Sequence, residues 1–467
     1  MSRVVTNKKL PLKVKLLYSC GNLGIGIITV LLGNNFVYFF TAPEVSGKPV
    51  IPYLIPQGAL FWGMTLLGLI WAVGSIFDAV LDPIIANFSD RFEHKNGKRI
   101  PIMRMAAIPF VLTFALVFFA PVPQISIINV IWLLVIFLLS KVFYTMYMIP
   151  FYSLFVDLAK SGDDKADLGT INSAFWFIGF VIAALATVLW GFFQNKFGMT
   201  LIVSFRSTVI LLSIIGLIAV MAPAFLINEK KYVANSIKST KEKVIPSLKR
   251  VLKNKSFRNY LYTNFGYTIS TRIFESGLIY YVTVLAMQKA EINGYLIIII
   301  AVIALALYPL VNKLAKSKGR KFILKISIIL LFISYIVISL LGLGNIHPYF
   351  LFGALILLLP FATAGFGILP HVITSDCAQY DREKTGEDSA GMYIAANGFV
   401  AKLGGSVSGL MLTSLLLLGK DVGNDLGIRV AILTAAAIMF VVYFVLKGYD
   451  EKEIMSYENK QEEETES

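Results

Sequence analysis

Apolar runs long enough to cross a bilayer recur from one end of this chain to the other, and no other feature limits its fold so strongly. A helix needs about 20 apolar residues to span a ~30 Å hydrocarbon core, whereas a barrel strand needs about 10 in strict alternation. The runs here are continuous, so helices are expected. Composition agrees: of 467 residues 57% are hydrophobic and 15% charged, with a mean hydropathy of +0.74. The reading is an all-α membrane protein with twelve spans, at 14–41, 57–88, 101–121, 127–158, 169–193, 201–227, 257–288, 292–315, 321–343, 348–380, 389–418 and 426–447. The first is too long, and too poor in a small-residue cleavage site, for a removed signal.

Lys and Arg counts in short loops set orientation. The N-terminus (Arg3, Lys8, Lys9, Lys13) and the loops after the second and eighth spans (Arg91, Lys95, Lys98, Arg99; Lys316, Lys318, Arg320, Lys321) are basic. The alternate loops hold little beyond Lys48, Lys196, Lys289 and Lys420, so both termini are expected in the cytoplasm, at the plasma membrane. The net charge of +14 lies in those inner loops, where it faces anionic lipid and does not point to nucleic acid. Cys20 and Cys377 fall in apolar segments, and His94, His347 and His371 are scattered, so neither a disulfide framework nor a resident metal or cofactor is indicated.

The longest interior polar stretch, 228–256, carries nine Lys/Arg against Glu229 and Glu242. It divides the chain into a six-helix bundle at 1–227, a basic linker suited to an amphipathic helix on the inner leaflet, and a second bundle at 257–447. An acidic tail, 448–467, reads as solvated and disordered. The halves echo each other. Leu81-Asp82-Pro83 followed by Gly97-Lys98-Arg99 is matched by Leu307-Tyr308-Pro309 followed by Gly319-Arg320-Lys321, and Pro150, Asp157 and Asp167 by Pro370, Asp376 and Asp388. Two parallel halves around a central cavity are the plan of a rocking carrier.

Asp78 and Asp82 stand one helical turn apart inside an apolar run. A carboxylate at bilayer depth costs at least ~2.5 kcal/mol and is kept where it faces a cavity or a cation. At i,i+4 the two share a helix side and could hold one Na+ or one proton, and Pro83 frees a carbonyl beside them. Asp90 and Arg91, with Asp376, Asp381 and Arg382, are candidates for charge contacts that gate the inner side. Asp167 and Asp388 read as helix caps. Arg272 and Glu275 share a face of the seventh span, as an ion pair or as half of an anionic-solute site; Asn34, Asn35 and Asn22 lie in the first span, and Asn172 and Asn397 suit helix packing.

The stretch from Asp78 to Pro83, with Asp90-Arg91 and Gly97-Lys98, resembles the second-helix signature of the glycoside-pentoside-hexuronide cation symporters, the melibiose-carrier branch of the major facilitator superfamily. Tyr18 to Gly21, Ile149 to Leu154, Asp376 to Tyr380, Lys384-Thr385 and Lys402 extend the likeness over nearly the whole chain. It implies a major facilitator fold, with Asp78 and Asp82 as the cation site, Lys402 as the eleventh-helix lysine and Tyr152 as the fourth-helix aromatic against a sugar. Where the melibiose carriers hold sugar hydroxyls through an aspartate and an arginine, and place a further aspartate near the ion, this chain has Gly26, Ala174 and Met148. The loss favours a hexuronide-like or otherwise acidic solute, met by Lys402 and Arg272, over a neutral disaccharide.

The expectation is therefore a monomeric secondary transporter without covalent chemistry. It would move a glycoside, hexuronide or related solute with Na+ or H+. A carrier of lysophospholipids on the same scaffold and a non-transporting sensor are the rivals; no nucleophile-base or metal constellation supports an enzyme.

Overall fold

The computed structural model of this chain describes residues 9–92, 94–159, 161–233, 251–344, 346–385 and 390–455. In chain order the helices are α1 (Leu12–Phe40), α2 (Leu66–Arg91), α3 (Arg99–Leu116), α4 (Ile127–Leu158), α5 (Gly162–Ala184), α6 (Ala186–Phe197), α7 (Leu201–Leu226) and the short α8 (Glu229–Tyr232). There follow α9 (Lys255–Tyr280), continued by a π-helical turn at Tyr281–Leu285, then α10 (Glu291–Lys318), α11 (Arg320–Ser339), α12 (Pro348–Thr385), α13 (Ala390–Leu415) and α14 (Leu426–Val445). A two-stranded antiparallel hairpin, β1 (Glu44–Val45) with β2 (Lys48–Pro49), precedes α2.

Among the described residues eleven helical stretches are long and apolar enough to cross a membrane, with α5 and α6 forming one of them. Where a further span was expected, α9 is long enough but carries Arg258, Asn259, Asn264, Arg272 and Glu275 and is too polar to count with the rest. An all-α membrane fold results. The second span begins later than its apolar run: Trp62 and Gly63 take left-handed φ of 51° and 73°, so the chain turns there. The helix starts only after Thr65, whose hydroxyl accepts the Gly68 N–H at 3.1 Å and caps it.

The chain forms two compact units. The first comprises Met1–Ala42, Ile51–Pro56 and Phe77–Thr240; the second comprises Pro43–Val50, Gln57–Ile76 and Lys241–Ser467. In the first, α1 packs on α5 and α7, and α3 packs on α4 and α7. In the second, α9 packs on α13 and α14, and α11 packs on α12 and α14. Counted by span, these are the same four pairings, first with fifth and sixth and third with fourth and sixth. The motif echo read in the sequence thus has a counterpart in packing.

Two expectations need correction. Asp167 is not a cap: Ser161 caps α5 through the Asp164 N–H at 3.0 Å, and Asp167 lies farther along, accepting the Lys15 ammonium at 2.8 Å. Nor is the tail solvated throughout. Tyr449 and Ile454 are buried, Asn259 donates to the Gly448 carbonyl at 2.7 Å, and Lys321 donates to the carbonyls of Lys447 and Tyr449. The linker between 234 and 250, Asp388, and the tail beyond 455 lie outside the described residues.

Candidate functional site

Asp78 projects from the middle of α2 and is only 6% exposed. Its Oδ1 accepts a hydrogen bond of 2.9 Å from the Thr145 hydroxyl on α4. A helical Thr ordinarily bonds back to its own helix; this one gives its proton to a carboxylate on another. Asp82 is half-buried one turn further along, and Pro83 supplies no N–H to the Ala79 carbonyl between the two acids. The Asp78 carboxylate and the Thr145 hydroxyl are in contact, and Asp82 and the Ala79 carbonyl lie within a turn of Asp78 along α2; oxygen donors of these kinds suit a hard cation or a proton. Among the described residues no group of three or more His, Cys, Asp or Glu side chains could hold a metal ion.

The candidate solute residues divide between the units. In the first, Asn34 is half-buried on α1, and Tyr152 is 49% exposed on α4, edge-on to Phe151, whose ring stacks on Tyr18 at 4.3 Å. In the second, Lys402 is half-buried on α13, while Arg272 and Glu275 form an exposed ion pair at 3.0 Å on α9. Asn264 donates to Asn397 at 2.7 Å and Asn22 to the Asn172 carbonyl at 3.0 Å, so these amides tie spans together in both units. Gly26 explains one departure. A Cβ there would stand 3.0 Å from the Trp176 carbonyl oxygen and 3.4 Å from Gly179 Cα, so any side chain at this position would crowd the α5 backbone.

Near the gating candidates each unit builds one carboxylate clamp, and of those candidates Asp376 takes part in it. In the first unit the buried Glu229 carboxylate accepts the amides of Lys98 at 2.7 Å, Arg99 at 3.0 Å and Ile100 at 2.9 Å, closing the N-terminus of α3. Arg99 itself donates to Ser89 at 2.8 Å and pairs with Asp157 at 3.5 Å. In the second unit the Glu451 carboxylate accepts the amides of Arg320 and, at 3.0 Å, Lys321, closing α11, and the Arg320 guanidinium pairs with buried Asp376. The carboxylate follows the first amide it caps by 131 residues in both units. Gly97 (φ +117°) and Gly319 (φ +92°) make the turns, and a Cβ on either would strike the capping carboxylate. Of the other gating candidates, Asp381 is buried and Arg91 and Arg382 are exposed; the Asp90 side chain lies outside the described residues.

Glu229, Glu451 and Thr145 were not among the residues expected from sequence. A glutamate 131 positions from the amides it caps leaves no local pattern, and a lone Thr in an apolar helix is ordinarily a helix-bonded one.

Eleven apolar candidate spans and the long, more polar α9, in two similarly packed units, define a polytopic membrane protein. The fold is that of major facilitator transporters. It matches the nucleoside transporter NupG with a TM-score of 0.64 at 14% identity, covering 95% of this chain and 99% of that one. It also matches the xylose transporter XylE from E. coli, in a partially occluded inward open conformation, at 0.62 and 12%, covering 92% and 98%. The chain belongs to the MFS/sugar transport protein family, whose sequence pattern it fits over residues 17–446. Among its relatives, the uncharacterized symporter YnaJ of Bacillus subtilis is 22% identical over 87% of this chain and 83% of its own length. The uncharacterized symporter sll1374 of Synechocystis sp. is 27% identical over 40% of this chain, a match that spans only 33% of that protein. The protein is thus a multi-pass membrane transporter of a small molecule, working in the bilayer, and not an enzyme.

Proposed function

We propose that this transporter moves a glycoside, hexuronide or related organic solute together with a cation, Na+ or H+, by alternating access, as a monomer. The observation that carries the reading is the buried Asp78 held by Thr145, with Asp82 one turn away. Two carboxylates this close repel when both are ionised, so the site gains most when a cation or proton shares them. Occupancy then changes the charge of a surface buried in the membrane. A carrier that reorients only when that charge is neutralised couples the cation to its solute. The relatives named above are called symporters, which agrees with this reading. The loss of room at Gly26 argues against a galactoside held as in the melibiose carriers.

The test is solute accumulation in proteoliposomes under imposed Na+ or proton gradients, across glycosides, uronides and lysophospholipids. Wild type should accumulate at least one water-soluble member against its gradient. Asp78→Asn and Asp82→Asn should lose the cation dependence while keeping downhill exchange. Cation dependence that survives both substitutions refutes the coupling site; accumulation of lysophospholipid alone refutes the solute class.

A further inference from the structure

Near the middle of the 32-residue α4, in the run Leu138-Leu139-Ser140-Lys141-Val142-Phe143, stands a single lysine, Lys141. An ammonium at that depth has the same cost as a carboxylate and marks a pathway by default. Its position on the helix is specific. Phe137, Lys141, Thr145, Met148 and Tyr152 recur every three or four residues and so form one stripe. Thr145 on that stripe is the residue that holds Asp78. Tyr152 at its other end is half-exposed. Lys141 is half-buried, and its ammonium lies 5.0 Å from the centroid of the Phe137 ring, which in turn stacks on Phe36 of α1 at 5.1 Å. The ring face helps to hold the charge in place.

We infer that Lys141 is a solute-binding residue of the first unit and that it takes an anionic group, a carboxylate or phosphate, of the transported molecule. The inference rests on the transport reading above and names the class of solute. Lys141 stands one helical turn, about 5.4 Å, from Thr145, and its ammonium reaches back toward Phe137, a turn the other way. A separation of about two turns, ~10 Å, inside the membrane is still short enough for each charge to affect the other. A positive charge at Lys141 opposes a cation at Asp78 and Asp82. An anionic solute on Lys141 removes that opposition, and a cation at the aspartates removes the opposition between them and the anion. Each ligand therefore favours the other, which is what symport requires.

The experiment uses the full chain in proteoliposomes and a matched pair of probes, a phenyl β-glucuronide and the phenyl β-glucoside that carries a neutral hydroxymethyl group in place of its carboxylate. Wild type should accumulate the glucuronide in preference. Lys141→Met should reduce that preference at least about tenfold, and Lys141→Arg should restore most of it. A second readout is cation binding without solute, by Na+ calorimetry and by proton uptake in unbuffered detergent. Lys141→Met should bind its cation more tightly than wild type, by about tenfold, while binding the glucuronide more weakly. A structural lysine would not move the two affinities in opposite directions, and a misfolded variant would lose both. An unchanged acidic preference in Lys141→Met, or a wild type that accumulates the glucoside and excludes the glucuronide, overturns the inference and leaves cation-driven transport standing. Wild type that accumulates neither these probes nor any panel solute under either gradient refutes the transport reading beneath it.

Discussion

Replacing Glu229 with alanine removes a carboxylate that closes the N-terminus of α3 through three amides, those of Lys98, Arg99 and Ile100, at 2.7 to 3.0 Å. Hydrogen bonds to a charged acceptor contribute ~1.5–3 kcal/mol each, and a negative charge at a helix N-terminus adds roughly 0.3–2 kcal/mol. The three bonds share one carboxylate and are lost together, and water can enter the vacated turn. The net is therefore well below their sum, about 3 kcal/mol, or roughly a hundredfold in the local opening equilibrium. Amide exchange measures this directly, because opening exposes those same N–H groups. In the full-length protein, Glu229→Ala should speed deuterium uptake across Lys98 to Ile100 by about two orders of magnitude and leave Arg320 and Lys321 unchanged. Glu451→Ala should do the converse. Exchange at Lys98 to Ile100 within about threefold of wild type would show that the amides are held by the helix alone and refute the reasoning.

Gly319→Ala should weaken the second unit's turn by ~1–3 kcal/mol, since it forces a side chain into a left-handed φ and against Glu451; a thermal unfolding series with Gly423→Ala, which meets open space at a φ of +83°, separates strain from clash. Thr145→Val keeps the shape of α4 but removes the hydroxyl that donates to Asp78. Na+ affinity should fall about tenfold in titrations as an oxygen is lost from the site, whereas proton affinity should rise because the ionised carboxylate loses its donor, and the direction of the change separates the two coupling ions. Arg320→Met leaves Asp376 buried without its guanidinium and should cost ~3–5 kcal/mol of unfolding free energy, whereas Arg320→Met with Asp376→Leu should recover most of it. Arg272→Met breaks only an exposed i,i+3 pair and should change stability by less than ~1 kcal/mol, so a large loss of uptake in that variant would have to come from the solute.

Most of the span boundaries were legible because each is set by about 20 apolar residues, a signal that tertiary contacts cannot reverse. The run from Ala59 to Trp62 misled for the opposite reason: it is apolar yet turns at Trp62, and hydropathy is blind to a left-handed φ. Asp78 and Asp82 were legible as an energetic exception. Thr145 was not, since nothing in a sequence distinguishes a hydroxyl bonded to its own helix from one bonded to its neighbour. Asp167 was misread because its partner Lys15 lies 152 residues away, and capping is the nearer explanation for an acid beside a helix start. Glu451 was hidden in plain acidity, one of eight Asp/Glu in a segment whose composition suggests disorder. Composition averages over a segment, while a single docked carboxylate does not.

The paired carboxylate clamps also bear on how the chain is made. Each third span enters the membrane with a helix start whose capping acid is still 131 residues from synthesis. At 5–20 residues per second, that is a wait of roughly 7 to 26 seconds. During that interval α3, and later α11, must rest on provisional partners such as water or lipid headgroups. Each unit locks only as its sixth span is completed. A ribosome stalled before Glu229 should therefore leave a first unit that is inserted but open to protease at Gly97, and release of a further short stretch of chain should close it.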